Sequence, residues 1–203
     1  MTIYSLIIVG VVLMMIFWLR QKIIHMYNKE FFWQLTFFVT LFSLIGAKIS
    51  HVIHESYFYS IRPQDILSTN GFSILGAILF GTITLFFLSI VYKANFDHLA
   101  DRIFLILPLA QGIGRIANIL NNELMPHAEY EMIFNFFNFS IVYFLYKFIR
   151  KDGLVTAVYF MNYGFFRLAI EYDKGDLIRF LSLISFVFFV YGLMKLIKII
   201  FKL

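Results

Sequence analysis

Seven stretches of nearly unbroken apolar residues divide the chain: Ile3–Leu19, Phe31–His54, Phe72–Tyr92, Ile103–Asn121, Tyr130–Phe148, Leu154–Tyr172 and Phe180–Ile200. Each runs to about twenty residues, the length a helix needs to cross the hydrocarbon of a bilayer. Strands of a membrane barrel would instead alternate apolar and polar positions over about ten residues. The unbroken runs predict helices, which satisfy their own backbone polar groups in lipid. The expected fold is therefore an all-α integral membrane protein of about seven transmembrane helices, a single transmembrane domain over residues 1–203. Seven spans use roughly 140 residues and leave about 60 for connections, too few for a separate extramembrane domain. No basic residue precedes the first run, and Arg20, Lys22 and Lys29 follow it. A secretory signal peptide has the opposite polarity, so this run reads as a permanent first helix with its N-terminus outside.

Composition agrees with that pattern. Hydrophobic residues make up 61% of the chain and charged residues 14%, whereas a soluble domain is about half apolar and a quarter charged. A soluble enzyme or a secreted scaffold is excluded on this ground. The absence of cysteine removes disulfides, thiolate nucleophiles and thiolate metal sites. A pI of 9.3 raises the question of nucleic acid, but the positions of the charges answer it. With the N-terminus out and seven spans, the cytoplasmic side carries 11 of the 17 basic residues: Arg20, Lys22, Lys29, Lys93, Arg102, Lys147, Arg150, Lys151, Lys195, Lys198 and Lys202. The outside carries Arg62, Lys174 and Arg179. That is the positive-inside distribution of a membrane protein with its C-terminus in the cytoplasm, and no nucleic-acid partner is expected.

Three spans contain polar groups that a passive span does not need, and ionisable groups at such depth usually face a pathway or a binding cavity. The second span carries Lys48, His51 and His54 at steps of three, along one helical face. Lys48 has two readings, a headgroup-seeking lysine or a site residue, and the two histidines read as interfacial. The fourth span ends in a stripe of Arg115, Asn118, Asn121, Asn122 and Glu123, with Gly112, Gly114 and Ala117 beside it. Small residues admit a neighbouring helix or a lipid close to the backbone. A buried seam joining helices is the plainer reading, but an arginine, three asparagines and a glutamate in so short a stretch favour a site. The sixth span places Tyr163, Arg167 and Glu171 at i, i+4 and i+8 on one face, where Arg167 and Glu171 can pair. Two arginines and two carboxylates, Glu123 and Glu171, are thus expected to converge near the outer interface. Guanidinium holds phosphate bidentately, and phosphate is the charge of a phospholipid headgroup.

The run Gly114-Arg115-Ile116-Ala117-Asn118-Ile119-Leu120-Asn121-Asn122-Glu123-Leu124 resembles the G-R-x-G-N-F-x-N-x-E signature of prolipoprotein diacylglyceryl transferases. Gly46-Ala47-Lys48 is similar to that family's G-A-R segment, and Leu99-Ala100-Asp101 through Pro108-Leu109 to its approach to the signature. His127 to Glu131 resembles its H-P-x-Q-L-Y-E helix entry. Tyr163 through Glu171 resembles its Y-G-x-x-R-x-x-x-E, and Tyr4 stands where the family has a tyrosine opening the first helix. The likeness is collinear over nearly the whole chain.

The resemblance implies transfer of sn-1,2-diacylglyceryl from phosphatidylglycerol to the lipobox cysteine of a lipoprotein precursor, at the outer side of the bacterial cytoplasmic membrane. It implies catalytic roles for Arg115, Glu123, Tyr163 and Arg167, with the arginines on the headgroup and the leaving glycerol phosphate. Tyr4, Lys48, Asn118, Asn121 and Glu171 would bind or position the substrates, Glu171 through Arg167. No metal and no organic cofactor is implied. Several positions depart from the family pattern. The H-G-G stretch of the third span, whose histidine takes part in thiol activation, corresponds to Ser73-Ile74-Leu75-Gly76, so Leu75 replaces the histidine. Lys48 replaces an arginine, Ala117 and Pro126 replace glycines, and external segments are shorter than the family's. Two functions follow, a diacylglyceryl transferase or a non-catalytic phospholipid-binding relative that has lost the base. A transporter ranks below both, because it would often show an internal repeat and none is found.

Overall fold

The computed structural model describes residues 3–24, 26–67, 71–121, 127–173 and 179–201, apart from the side chains of residues 3–5 and 8. Seven long helices account for the seven apolar runs: α1 (Ile3–Ile23), α2 (Lys29–His54), α4 (Ile74–Val91), α5 (Phe96–Leu120), α6 (Ala128–Phe148), α7 (Leu154–Asp173) and α8 (Phe180–Phe201). Two short elements the apolar pattern does not signal follow α2: the helix α3 (Ser56–Ile61) and a 3-10 turn at Pro63–Leu67. Among the described residues there is no strand. Four of the helices (α2, α4, α5 and α8) are long and apolar enough to cross a membrane by length and composition alone. In α6 and α7 the buried Glu131, Asn135, Asn138, Arg167 and Glu171 dilute that apolar character. The polar groups that weaken the membrane signal are the ones turned inward.

Helix ends follow from local chemistry. Asn28 caps α2 by accepting the Phe31 N–H at 2.7 Å, and Asn95 caps α5 by accepting the His98 N–H at 3.2 Å. The start of α7 is capped by another helix. Asp101 of α5 accepts the backbone N–H of Gly153 at 2.7 Å and of Thr156 at 2.8 Å, and the Thr156 hydroxyl at 2.6 Å. A carboxylate there satisfies amides that lack intrahelical acceptors and meets the positive end of the helix dipole. Gly153 turns the chain at φ +82°, a conformation that costs glycine little.

Packing is most extensive between α7 and α8, between α2 and α4, and between α5 and α6. Without a hydrophobic drive between helices in lipid, close backbone approach and interhelical hydrogen bonds do this work. A Cβ on Gly164 would lie 2.5 Å from the Phe189 nitrogen, so α7 and α8 cross where a side chain has no room. Tyr159 hydroxyl donates to Gln111 at 3.2 Å and Asn162 donates to Asn138 at 3.0 Å, tying α7 to α5 and α6. Aromatic stacking of Tyr159 on Phe104 (4.9 Å) and on Tyr163 (5.4 Å) fills the middle of the bundle. Leu13, Phe37, Phe87, Phe137 and Leu183 are exposed on the outside. An apolar exterior around a polar-containing interior is the arrangement a bilayer selects.

Candidate lipid-headgroup site

The C-terminal halves of α5 and α7, the N-terminal half of α6 and the start of α4 enclose a cavity of about 560 Å³. Its charged lining comes from three helices. Arg115 on α5 pairs with Glu131 on α6, and Arg167 on α7 donates to the other oxygen of the same carboxylate at 2.9 Å. Arg167 donates also to Glu171, one turn further along α7, at 2.7 Å. The result is a chain of alternating charge, Arg115–Glu131–Arg167–Glu171, with two cations balanced by two anions. Desolvating isolated charges would cost several kcal/mol each, and pairing with good geometry offsets that cost.

The carboxylate between the two arginines is Glu131, which the sequence signals only as part of a helix-entry motif. Both arginines are paired with carboxylates of the protein itself. Glu131, Asn135 and Asn138 recur at steps of four and three on an otherwise aromatic helix, and that inward stripe is the signal that marks Glu131. The arginines differ in access: the Arg115 side chain is 21% exposed and that of Arg167 9%. Arg115 is therefore the more open of the two to a guest, and Arg167 is held in place behind it. Two polar atoms of this lining, the Arg167 Nε and the Asn135 Oδ1, are buried without a hydrogen-bond partner. Unsatisfied buried donors and acceptors are uncommon and costly, and a polar headgroup is one kind of guest that answers both.

Of the other expected site residues, Asn118 and Tyr163 line the cavity and are buried. Lys48 stands outside the lining, with its ammonium over the rings of Tyr59 and Phe72 at 5.4 and 5.3 Å and donating to the Asp65 carbonyl at 3.3 Å. Asn121 ends α5 as an exposed cap residue and does not reach the cavity. Glu123 and the side chain of Tyr4 lie outside the described residues. Leu75, in the first turn of α4, faces the cavity and is 1% exposed. The leucine thus occupies the lining itself, where a histidine would face the guest. His51 of α2 lines the same cavity, with its Nδ1 3.1 Å from the Tyr59 hydroxyl, whereas His54 pairs with Glu55 at 3.6 Å away from it.

An all-helical membrane protein whose inward-facing arginines, carboxylates and amides converge on one cavity is the class that fold and site define. The chain belongs to the prolipoprotein diacylglyceryl transferase family, whose model matches residues 1–198. Among its relatives is a phosphatidylglycerol–prolipoprotein diacylglyceryl transferase of Dehalococcoides mccartyi, 30% identical over 157 residues, covering 64% of this chain and 60% of the relative. One of the same description from Rickettsia africae is 33% identical over 157 residues, covering 63% and 60%. Another, from Streptococcus uberis, is 28% identical over 171 residues, covering 70% and 66%. The matched region spans about 60% of the length of the first of these relatives.

Proposed function

We propose that this protein transfers sn-1,2-diacylglyceryl from phosphatidylglycerol to the lipobox cysteine of a lipoprotein precursor, at the outer face of a bacterial cytoplasmic membrane. The observation that carries the proposal is the Arg115–Glu131–Arg167–Glu171 chain along one cavity. The two carboxylates orient the guanidiniums, and the more open Arg115 meets the phosphodiester. In the reaction the cysteine sulfur attacks the glycerol carbon that carries the phosphate. A carbon–sulfur bond forms, the carbon–oxygen bond breaks, and its electron pair leaves on glycerol phosphate while the thiol proton goes to a base. Charge grows on the phosphate oxygen as that bond breaks, and fixed donors in a site of low dielectric stabilise such growth. Tyr163 and Asn118 shape the lining beside the arginines, and Glu171 acts through Arg167. Glu123, Tyr4, Asn121 and Lys48 belong to the proposal through the family motif alone.

The same proposal assigns the membrane arrangement. All seven long helices cross, with the N-terminus outside, the C-terminus in the cytoplasm, and the arginine cavity at the outer end. The eleven-to-three distribution of basic residues and the exposed apolar exterior support it. The test is transfer of labelled diacylglyceryl from phosphatidylglycerol to a lipobox peptide by the purified protein. Activity in the parent that is lost in Arg115→Gln is the expected result.

Leu75 supports a second reading, a phospholipid binder without catalysis, because a leucine in the lining accepts no proton. A cysteine thiol is only a few per cent ionised at neutral pH, so the transfer reading needs another base, and His51 is placed for it. Retained phosphatidylglycerol binding with no transfer, in the parent and in Leu75→His alike, would favour the binder.

A further inference from the structure

A second cavity of about 560 Å³ lies at the opposite end of the bundle, where α1, α5, α6 and the start of α7 meet. Arg102 in its wall and Arg115 in the first cavity sit thirteen residues apart on α5, about 20 Å along the helix. Five cations line it, Lys22, Arg102, Lys147, Arg150 and Lys151, against two carboxylates. Both carboxylates are engaged elsewhere. Asp101 is committed to the amides that open α7, and Asp152 accepts from Asn95 at 3.2 Å. Among the described residues none of the five cations is in an ion pair. Arg102 donates to the His98 carbonyl at 2.8 Å, Arg150 to the Lys147 carbonyl at 3.2 Å, and the Lys22 ammonium stands 5.1 Å over the Trp18 ring. Two buried donors of this wall, the Trp18 indole N–H and the Arg102 Nε, have no hydrogen-bond partner.

Like charges gathered in a partly enclosed space repel one another, and an anion relieves the repulsion while satisfying the orphaned donors. Guanidinium and ammonium groups lining one space suit a phosphate. The surroundings indicate what carries it. Trp18, Tyr143 and Tyr146 line the same space, and such amphipathic rings sit at the depth of lipid headgroups. The helices α1 and α6 that help form the cavity also expose Leu13, Phe17 and Phe144, apolar surface that acyl chains can cover. Basic pockets between helices on the cytoplasmic side of a membrane bind anionic headgroups.

We infer that this cavity is a second, cytoplasmic-leaflet binding site for the phosphate headgroup of an anionic phospholipid, separate from the arginine cavity at the other end. Trp18 lies in its wall and reports on it directly. The chain holds two tryptophans, so Trp33→Phe leaves Trp18 emission alone. The detergent-purified full chain in that background would be titrated with dioctanoylphosphatidylglycerol, dioctanoylphosphatidylcholine and inorganic phosphate. A saturable emission change with phosphatidylglycerol is expected. The response should weaken at least about tenfold in Lys147→Gln/Arg150→Gln and in Arg102→Gln, less in the single lysine variant Lys151→Gln, and not at all in Arg115→Gln. Thermal unfolding of each variant checks that it is folded, and the Lys151→Gln arm keeps the test open if Arg102→Gln is not. Equal binding of phosphatidylcholine, or no response in folded parent protein, overturns the inference. So does an Arg115→Gln effect as large as that of the double variant. A response to inorganic phosphate of comparable affinity and the same variant pattern overturns the lipid assignment and makes the site one for free phosphate.

Discussion

Replacing Glu131 by Gln removes the carboxylate shared by two guanidiniums while nearly preserving its volume. In the parent, Arg115 and Arg167 each contact one of its oxygens, and the Glu131 side chain is 8% exposed. The variant leaves two cations with only Glu171 to balance them. Breaking a buried pair by removing one partner costs about 3–5 kcal/mol. The two contacts share a network, so their losses do not add, and about 3–5 kcal/mol is the expected total. At about 2–4 °C per kcal/mol for a chain of this size, the unfolding temperature should fall by roughly 6–20 °C. Glu171→Gln is the internal comparison. It removes one contact to Arg167 but leaves the Glu131 bridge, and should cost about 1.5–3 kcal/mol. Intrinsic-fluorescence unfolding of both variants in the same detergent measures the two losses. A fixed concentration of dioctanoylphosphatidylglycerol should then stabilise Glu131→Gln more than the parent, because its phosphate meets an uncompensated guanidinium; ligand at a hundredfold excess over Kd adds about 2.7 kcal/mol. An unfolding temperature for Glu131→Gln within about 2 °C of the parent, beside a clear loss for Glu171→Gln, would refute the bridging role.

Leu75→His should raise diacylglyceryl transfer at least several-fold, since a general base is typically worth about 10²–10⁴-fold; an unchanged rate in folded variant protein would mean that another group already supplies the base. His51→Ala should lower transfer by the parent if His51 is that group, and a rate that survives the substitution removes it from consideration. Asp101→Ala deletes three hydrogen bonds to the start of α7 and should cost about 2 kcal/mol or more, read as faster amide exchange at residues 153–156; protection equal to the parent's would contradict the cap. Reporter fusions should place the N-terminus outside and the C-terminus in the cytoplasm, and two cytoplasmic termini would eliminate the seven-span arrangement.

Much of the fold was legible from the chain because lipid imposes a simple rule: a span must be apolar for about twenty residues and must satisfy its own backbone. The runs from Ile3 to Ile200 therefore correspond one for one with the long helices. Helical spacing alone also pairs Arg167 with Glu171, four residues apart on one turn. The segment after α2 was not legible, since the short elements at Ser56–Ile61 and Pro63–Leu67 have no period long enough to register.

What no local pattern could supply is the meeting of residues from different helices. Glu131 lies sixteen positions from Arg115 and thirty-six from Arg167, and only the packing of α6 against α5 and α7 brings its carboxylate between them. The same holds for Asp101, whose partners at the start of α7 lie more than fifty positions away in the chain. Leu75 and His51 share one cavity because α2 and α4 pack where glycines leave room. The chain by itself determined which stretches form the long apolar helices, because each run carries its length and its apolar character in its own residues. The tertiary structure decided which buried charges neutralise one another, because in a medium without water a charged side chain takes as its partner whatever the neighbouring helix presents.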